Sequence, residues 1–385
     1  MKKVYALVDC DSFFVSCEQA VSPELKGKPV CVTGGINGCV VSRSKEAKMV
    51  GVPMGYPVFM AQKEFKNVIY LEGNHERYKK FSNRVMDTLR DFSPCVEVCS
   101  IDEAYVDFTG LCKLYKLNYY ELAKFLRQKV LNEVGVPVSI GVSVSKTLAK
   151  FASDYAKNHG GVYLIGKSKI KKILPNTKVD DICGVGRRMK TALNKEGIIM
   201  CSEFVQKSDE WLKNKYSIVY SELKHELLGE PIYNISPEYK APKSIQETSS
   251  FAPSTNDKDY LKNEINKHIK DACRKLRKHN LKASCVGVML KTKDFVVYSD
   301  KKTLNKPVNL ELEISKHTFD LFENIYKSDL LYRSTGVYFS NLSSADFVQT
   351  GLFEEKSDKK YDKLSASIDK IETKFGKGSI KTGFV

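Results

Sequence analysis

No run of about eighteen apolar residues occurs anywhere in this sequence, which excludes a membrane-spanning helix. Met1-Lys2-Lys3 leads into only five apolar or aromatic residues before Asp9, too few for a secretory leader, so a soluble, cytoplasmic protein with no membrane partner is expected. The eleven cysteines are an odd number and scattered. The closest are Cys10/Cys17, Cys95/Cys99 and Cys31/Cys39, and no C-x-x-C is backed by a second pair or by histidines. That argues against a zinc site and for reduced thiols. Internal repeats and low-complexity tracts are absent, which leaves no sign of a solenoid or a long disordered region. Acidic residues are in deficit: 46 Asp and Glu against 62 Lys and Arg, a formal charge of +16. That points to a polyanion, nucleic acid or an anionic membrane, although a lysine-rich compositional bias gives the same number.

What is present is a folded chain of 385 residues, long enough for two to four domains. Val4–Val8 is a short apolar run of β-formers and predicts a buried strand ending at Asp9. Val30–Thr33 and Cys39–Ser42 predict a strand pair around a glycine-rich turn, followed by a short helix over Ser44–Val50. Helical spacing recurs over Arg77–Phe92, Tyr119–Val134 and Lys146–Lys157. Val96–Cys99 and Ala104–Phe108 read as a hairpin whose tip, Ser100-Ile101-Asp102-Glu103, is acidic, and Val138–Val144 reads as a strand. A mainly helical stretch follows, then strand–helix–strand–strand–helix–strand order, then a polar tail with a helical pattern at Leu364–Phe375. The fold class expected is multidomain α+β.

Asp102 and Glu103 are adjacent, and adjacent side chains of a regular strand face opposite ways. At a hairpin tip the alternation breaks, and both carboxylates can turn with Asp9 towards one point. Three converging carboxylates raise one another's pKa and require compensating cations. Oxygen ligands in a half-open site suit Mg²⁺. Two such ions, roughly 3.5–4 Å apart, would activate a 3′-hydroxyl and stabilise a departing pyrophosphate. Acidic residues also decorate turns with no further role. Phe13 and Phe14 stand beside Asp9, one able to pack inward while the other floors a nucleotide site, though most such pairs are core. Arg43, Lys45, Lys48 and Lys157 could neutralise a triphosphate; Lys45 and Lys48 share a helix face. Gly184 and Gly186 permit a turn that offers backbone N–H groups to a phosphate, with Lys190 nearby. Lys262, Lys267, Lys270, Arg274, Lys275, Arg277, Lys278 and Lys282 form a basic helix and its exit, suited to a DNA backbone.

In chain order these features resemble the Y-family of translesion DNA polymerases, in its UmuC-like branch. Asp9-Cys10-Asp11-Ser12-Phe13-Phe14 is similar to the opening motif, and Val41-Ser42-Arg43-Ser44-Lys45-Glu46-Ala47-Lys48 to the fingers motif. Ser100-Ile101-Asp102-Glu103-Ala104-Tyr105 resembles the catalytic palm motif, and Ser139-Ile140-Gly141-Val142-Ser143 with Lys146–Lys150 the strand and helix after it. Asp180–Arg188 resembles a helix–hairpin–helix.

The resemblance implies a right-hand polymerase: palm (1–22 and 74–166), small fingers (23–73), helical thumb (167–233), linker (234–243), α+β little finger (244–345) and tail (346–385). It implies that Asp9, Asp102, Glu103 and the carbonyl of Cys10 hold two Mg²⁺ ions, with Asp11 beside the site but not a ligand. Phe14 falls on the steric gate that excludes a ribose 2′-hydroxyl, next to Phe13. Ser42, Lys45, Lys48 and Lys157 would contact the dNTP, and Gly184, Gly186, Lys190, Lys270, Arg274, Arg277 and Lys278 the primer–template DNA. Gln349, Leu352 and Phe353 resemble a sliding-clamp-binding peptide, and the resemblance brings UmuD-like or recombinase accessory partners with it. The activity implied is low-fidelity nucleotidyl transfer without proofreading. An inactive DNA-binding scaffold of the same fold and a polymerase-fold nucleotidyl cyclase are the rivals.

Overall fold

The computed structural model describes residues 3–35, 38–238, 241–346, 359–376 and 379–380. The chain divides into two units, Met1–Glu238 and Tyr239–Val385. Among the described residues no helix is long and apolar enough to cross a membrane.

The first unit is organised on strand β1 (Tyr5–Cys10) and helix α1 (Phe13–Val21). A small sheet follows, in which β2 (Val30–Thr33) pairs antiparallel with β3 (Val40–Arg43) and parallel with β4 (Ile69–Glu72). Helices α2 (Lys45–Met49) and α3 (Val58–Glu64) cover it over a core of Cys31, Val40, Ala47, Val52, Ala61 and Val68. The Ser44 hydroxyl caps α2 by accepting from the Ala47 amide.

The main sheet runs β5 (Val96–Val98), β6 (Glu103–Asp107), β1, β7 (Val138–Ser143), β8 (Val162–Ile165). Strand β1 extends two residues beyond the sequence expectation because β6 pairs with it as far as Asp9 and β7 as far as Cys10. Its residues alternate between two buried faces. Ala6, Val8 and Cys10 join the core made by α4 (His75–Phe92) and α6 (Tyr119–Val134). Tyr5 and Leu7 pack instead with Ala149 of α7 (Lys146–Ala156). In sequence, the acidic hairpin and short α5 (Leu111–Tyr115) lie between α4 and α6. Gly141 fixes how close α7 comes: a Cβ there would lie 2.0 Å from the Ser153 amide nitrogen.

Helices α8 (Lys167–Ile173), α9 (Arg187–Lys195), α10 (Cys201–Val205), α11 (Asp209–Lys215) and α12 (Ile218–Leu227) close a third core that includes Leu148 and Ala152 of α7. Glu226, fully buried near the end of α12, accepts from the amides of Thr147, Ile232 and Tyr233. The Tyr5 hydroxyl donates to Asn234, and the Ser236 amide to Glu97. The stretch expected to be linker from residue 234 therefore begins as a strap tied to the main sheet.

The second unit follows the expected element order: β9 (Ile245–Thr255), α13 (Lys258–Lys278), β10 (Leu281–Thr292), β11 (Val297–Val308), α14 (Glu311–Ile325) and β12 (Tyr332–Ser344). Its antiparallel sheet has the order β11-β10-β12-β9. Leu261, Ile265, Ile269, Leu276, Ile314 and Phe322 of the helices pack on Val286, Val288, Val337 and Phe339 of the sheet. Helix α15 (Lys359–Phe375) comes last.

Candidate active site

Asp9 belongs to the face of β1 that α7 covers, and it is 7% exposed. Across the antiparallel ladder it stands directly opposite Glu103. Two like charges in that register repel. The compensation comes from α7. Lys150 Nζ lies 2.9 Å from Asp9 Oδ2 and 2.9 Å from Glu103 Oε2, and Lys157 Nζ lies 3.0 Å from Asp9 Oδ2. Asp154, between the two lysines on α7, pairs with both. Burial alone would lower the Lys150 ammonium, but the Asp9 charge and the bonds to Asp9 and Glu103 carry it well above the lysine range. Lys157 is raised in the same way, by Asp9 and Asp154 against burial.

Asp102 sits in the hairpin tip, where its Oδ1 accepts from the Ser100 hydroxyl at 2.5 Å. Its carbonyl accepts from the Cys10 amide, which ties the tip to the end of β1. The expected three-carboxylate cluster is not drawn together: among the described residues, no three His, Cys, Asp or Glu side chains are grouped to hold a metal ion. The reason is visible in the turn, since Ser100 holds Asp102 while a lysine bridges the other two. The donors still fit a hard cation. They are all oxygens, and an ammonium already occupies the point between Asp9 and Glu103. Burial raises Asp11, partly relieved by the Ser139 hydroxyl.

Phe13 and Phe14 separate as residue type alone could not decide. Phe13 is buried in the core. Phe14 is half-buried, stacked on Tyr78 with centroids 4.5 Å apart and edge-on to His75 at 6.0 Å. The Tyr78 hydroxyl donates to Glu18 at 2.7 Å, and the Arg77 guanidinium pairs with the same buried carboxylate.

Ser12, left-handed at φ 46°, turns β1 into α1 and collects the next group. The buried Ser42 hydroxyl donates to its carbonyl, and Lys48 Nζ donates to its hydroxyl at 2.9 Å. Burial, Arg43 and Lys157 together lower the Lys48 ammonium, so three cations share one field. Arg43 donates through Nη1 to the Val52 carbonyl, and its buried Nε has no partner among the described residues. Lys45 is exposed on α2.

The DNA-facing expectations fare unevenly. Gly184, at φ 100°, and Gly186 form the turn into α9, and Lys190 pairs with Asp180. Lys270 and Lys278 lie on α13. Arg277 and Arg274 do not present free charges: Arg277 is bidentate to Asp369 of α15 at 2.6 and 2.8 Å and also meets Glu311, and Arg274 pairs with Glu372. Two carboxylates on a helix some ninety residues downstream, invisible to local pattern, take both. Gln349, Leu352 and Phe353 lie outside the described residues.

Lys150, Asp154, Glu18 and Tyr78 were not singled out from the sequence. Lys150, Asp154 and Lys157 are spaced i, i+4, i+7, one face of a helix, and that was the available signal.

Residues 8–154 match the impB/mucB/samB family, and residues 242–352 match the impB/mucB/samB family C-terminal domain. The chain is 30% identical to the protein UmuC of Salmonella typhimurium, over 98% of this chain and 92% of that protein. It is 31% identical to a DNA polymerase IV of Dehalococcoides mccartyi, over 98% of this chain and 96% of that one. A solved Y-family DNA polymerase chimera of Dbh and Dpo4 superposes with a TM-score of 0.75 at 26% identity, covering 89% of this chain and 99% of the chimera. With matches of this extent at both ends of the chain, and with Asp9 and Glu103 facing each other across the central strands, the chain belongs to the impB/mucB/samB family, the UmuC-like Y-family DNA polymerases.

Proposed function

We infer that the chain is a template-directed, low-fidelity DNA polymerase for translesion synthesis, joining a dNTP to a primer 3′-end without proofreading. The observation that carries the reading is the Lys150 ammonium seated between Asp9 and Glu103, a cation position lined by oxygens on rigid strands. Asp9 and Glu103 would hold Mg²⁺ there, joined by the Cys10 carbonyl and by Asp102 turned away from Ser100. Bound as a pair, such ions supply the activated 3′-hydroxyl and the charge neutralisation of a leaving pyrophosphate.

The chain's own groups do the rest. Lys48, Arg43 and Lys157, with Lys45 on the same short helix as Lys48, offer a cationic field to the triphosphate. The Arg43 guanidinium is held in that field by the Val52 carbonyl. Phe14, backed by Tyr78, sets the floor beneath the sugar, and Phe13 anchors it in the core. The Gly184–Gly186 turn with Lys190 in the first unit, and separately Lys270 and Lys278 in the second, are proposed to contact primer–template phosphates. Gln349, Leu352 and Phe353 are proposed to bind a sliding clamp, which raises the effective concentration at the primer. UmuD-like or recombinase partners and a cytoplasmic location complete the proposal.

Primer extension by the protein alone in Mg²⁺, on undamaged and lesion-bearing templates, decides the matter. Extension that Asp9→Ala, Asp102→Ala and Glu103→Ala each abolish while DNA binding persists supports the site. DNA binding with no extension would leave the scaffold reading. Template-independent conversion of NTP to a cyclic product would favour the cyclase.

A further inference from the structure

The carboxylates of α15 that meet α13 are matched to it residue for residue. Asp369 pairs with Arg277 and Glu372 with Arg274, so each helix uses positions three apart on one face, and the two run antiparallel. Arg277 is the deeper anchor, its side chain 13% exposed. Its Nε and Nη2 grip the two oxygens of Asp369 at 2.6 and 2.8 Å. Its Nη1 donates to the Asn309 carbonyl at 3.1 Å, and Nη2 also reaches Glu311 at 3.2 Å. The entry to α14 is thus one wall of a socket whose floor is α13. A guanidinium fork held from behind in this way is shaped for a carboxylate arriving from outside.

The helix in that socket is fastened by the opposite face from the one a permanent element would use. An amphipathic helix packed for stability buries its apolar stripe. In α15, Leu364, Ile371 and Phe375 recur at helical spacing on one side, yet they are 54%, 40% and 67% exposed. Asp369 and Glu372 are turned inwards instead, their side chains 24% and 20% exposed. Charge therefore does much of the holding, and partly exposed ion pairs are weakened by salt and readily exchanged. Without α15, Arg277 would be nearly buried with Glu311 as its carboxylate among the described residues. An emptied socket is thus unfavourable, whereas exchange of one acidic helix for another is close to neutral.

We propose that the face of α13 carrying Arg274 and Arg277 is a docking site for an acidic helix of a partner protein, closed in cis by α15. The partner presents two carboxylates three residues apart, the pattern that Asp369 and Glu372 display. Helix α15 acts as a tethered competitor. It is joined to β12 through residues 347–358, a connection short enough to keep its effective concentration on the order of millimolar. A partner engages when its own helix outcompetes that tether. The site requires neither the Asp9–Glu103 centre nor nucleic acid.

A labelled peptide of residues 359–376 supplies an acidic helix in trans, and fluorescence anisotropy reads its binding to the full chain. Asp369→Arg/Glu372→Arg in the chain repels the tethered helix and opens the socket. The peptide should bind that variant at least about tenfold more tightly than wild type. Adding Arg277→Ala to the opened chain should remove the binding, and Arg277→Lys should restore only part of it, because an ammonium lacks the fork. A peptide carrying Asp369→Asn and Glu372→Gln should not bind, and that arm leaves the chain untouched should Arg277→Ala impair folding. Equal affinity for wild type and opened chain, or binding retained by the Asn/Gln peptide, overturns the proposal. A concentration-dependent wild-type dimer in sedimentation velocity, lost on the charge reversal, would make a second copy the occupant and overturn it as well.

Discussion

Tyr78 lies face to face with Phe14, the ring centroids 4.5 Å apart and the planes 19° from parallel. Tyr78 is in turn fixed by its hydroxyl on Glu18, so the position of Phe14 is set from beneath rather than by its own backbone alone. Phe14→Ala should reduce discrimination against ribonucleotides on the order of a hundredfold. Tyr78→Ala should reduce it less, about tenfold, because the gate is loosened rather than removed. Tyr78→Phe keeps the stack but removes a donor from a buried carboxylate, at a cost of about 1–3 kcal/mol in stability with selectivity intact. Steady-state kcat/KM for rNTP and dNTP, beside melting curves, separates the three. Unchanged selectivity in both alanine variants would remove Phe14 from the gate.

The Lys150 bridge should report on cation binding without any catalysis. Lys150→Met leaves Glu103 without its lysine and Asp9, nearly buried, with Lys157 alone. A loss of about 3 kcal/mol in stability is expected. Added Mg²⁺ should recover part of it by occupying the vacated point, and should recover none in Lys150→Met/Asp9→Ala. Differential scanning fluorimetry with EDTA and with Mg²⁺ checks this, and identical Mg²⁺ responses in the two variants would count against the assignment.

His225 sits between two carboxylates, Nε2 at 2.7 Å from Asp209 and Nδ1 at 2.7 Å from Glu230, with Lys224 also on Asp209. The bonds to Asp209 and then Glu230 raise the imidazole above its ordinary 6.5. Lys224 and His225 lower Asp209 to about 2. A raised histidine stabilises fully below its unfolded value and loses that contribution as pH climbs through the folded value; a lowered carboxylate loses its contribution as pH falls through its own. The stability advantage of wild type over His225→Gln should therefore be greatest near pH 5–6 and shrink above the histidine range. A pH-independent difference in melting temperature would disprove the coupling.

Arg277 should behave as a structural residue. Arg277→Ala is expected to release α15, seen as faster cleavage there in limited proteolysis, without altering the salt dependence of DNA binding. Lys270→Ala should instead lower the slope of log K against log [salt] by about one. A lowered slope in Arg277→Ala would return that arginine to the DNA-binding surface.

These contrasts show where the sequence could be read and where it could not. Helix α6 was legible because Leu122, Leu126 and Val130 recur on one face and Gly135 ends it. Helix α3 was not, since its apolar residues Val58–Ala61 are consecutive and two of them, Phe59 and Met60, face water. Strand β4 is only half-buried and lacks the alternation that marks a strand. At the site, Asp9, Asp102 and Glu103 could be named from residue type and motif, but their arrangement could not. Whether Asp102 or a lysine completes the group depends on a turn hydrogen bond and on α7 crossing the sheet. Glu18 and Tyr78 are sixty positions apart, and Arg277 and Asp369 ninety-two, so no local pattern links either pair.

The buried carboxylate of Glu226 has a consequence for how this chain could be recombined. It receives the Thr147 amide in the first turn of the helix that carries Lys150 and Lys157, and its own carbonyl receives the Ser145 hydroxyl that caps that helix. The lysines that neutralise Asp9 are thus registered by a residue some eighty positions downstream. A thumb transplanted from a relative with a crossover near Gly166 would break that register unless a carboxylate came with it at the same place. Hydrogen exchange should show the α7 amides and those of Ile232 and Tyr233 opening together, as one cooperative foldon that crosses the boundary between palm and thumb.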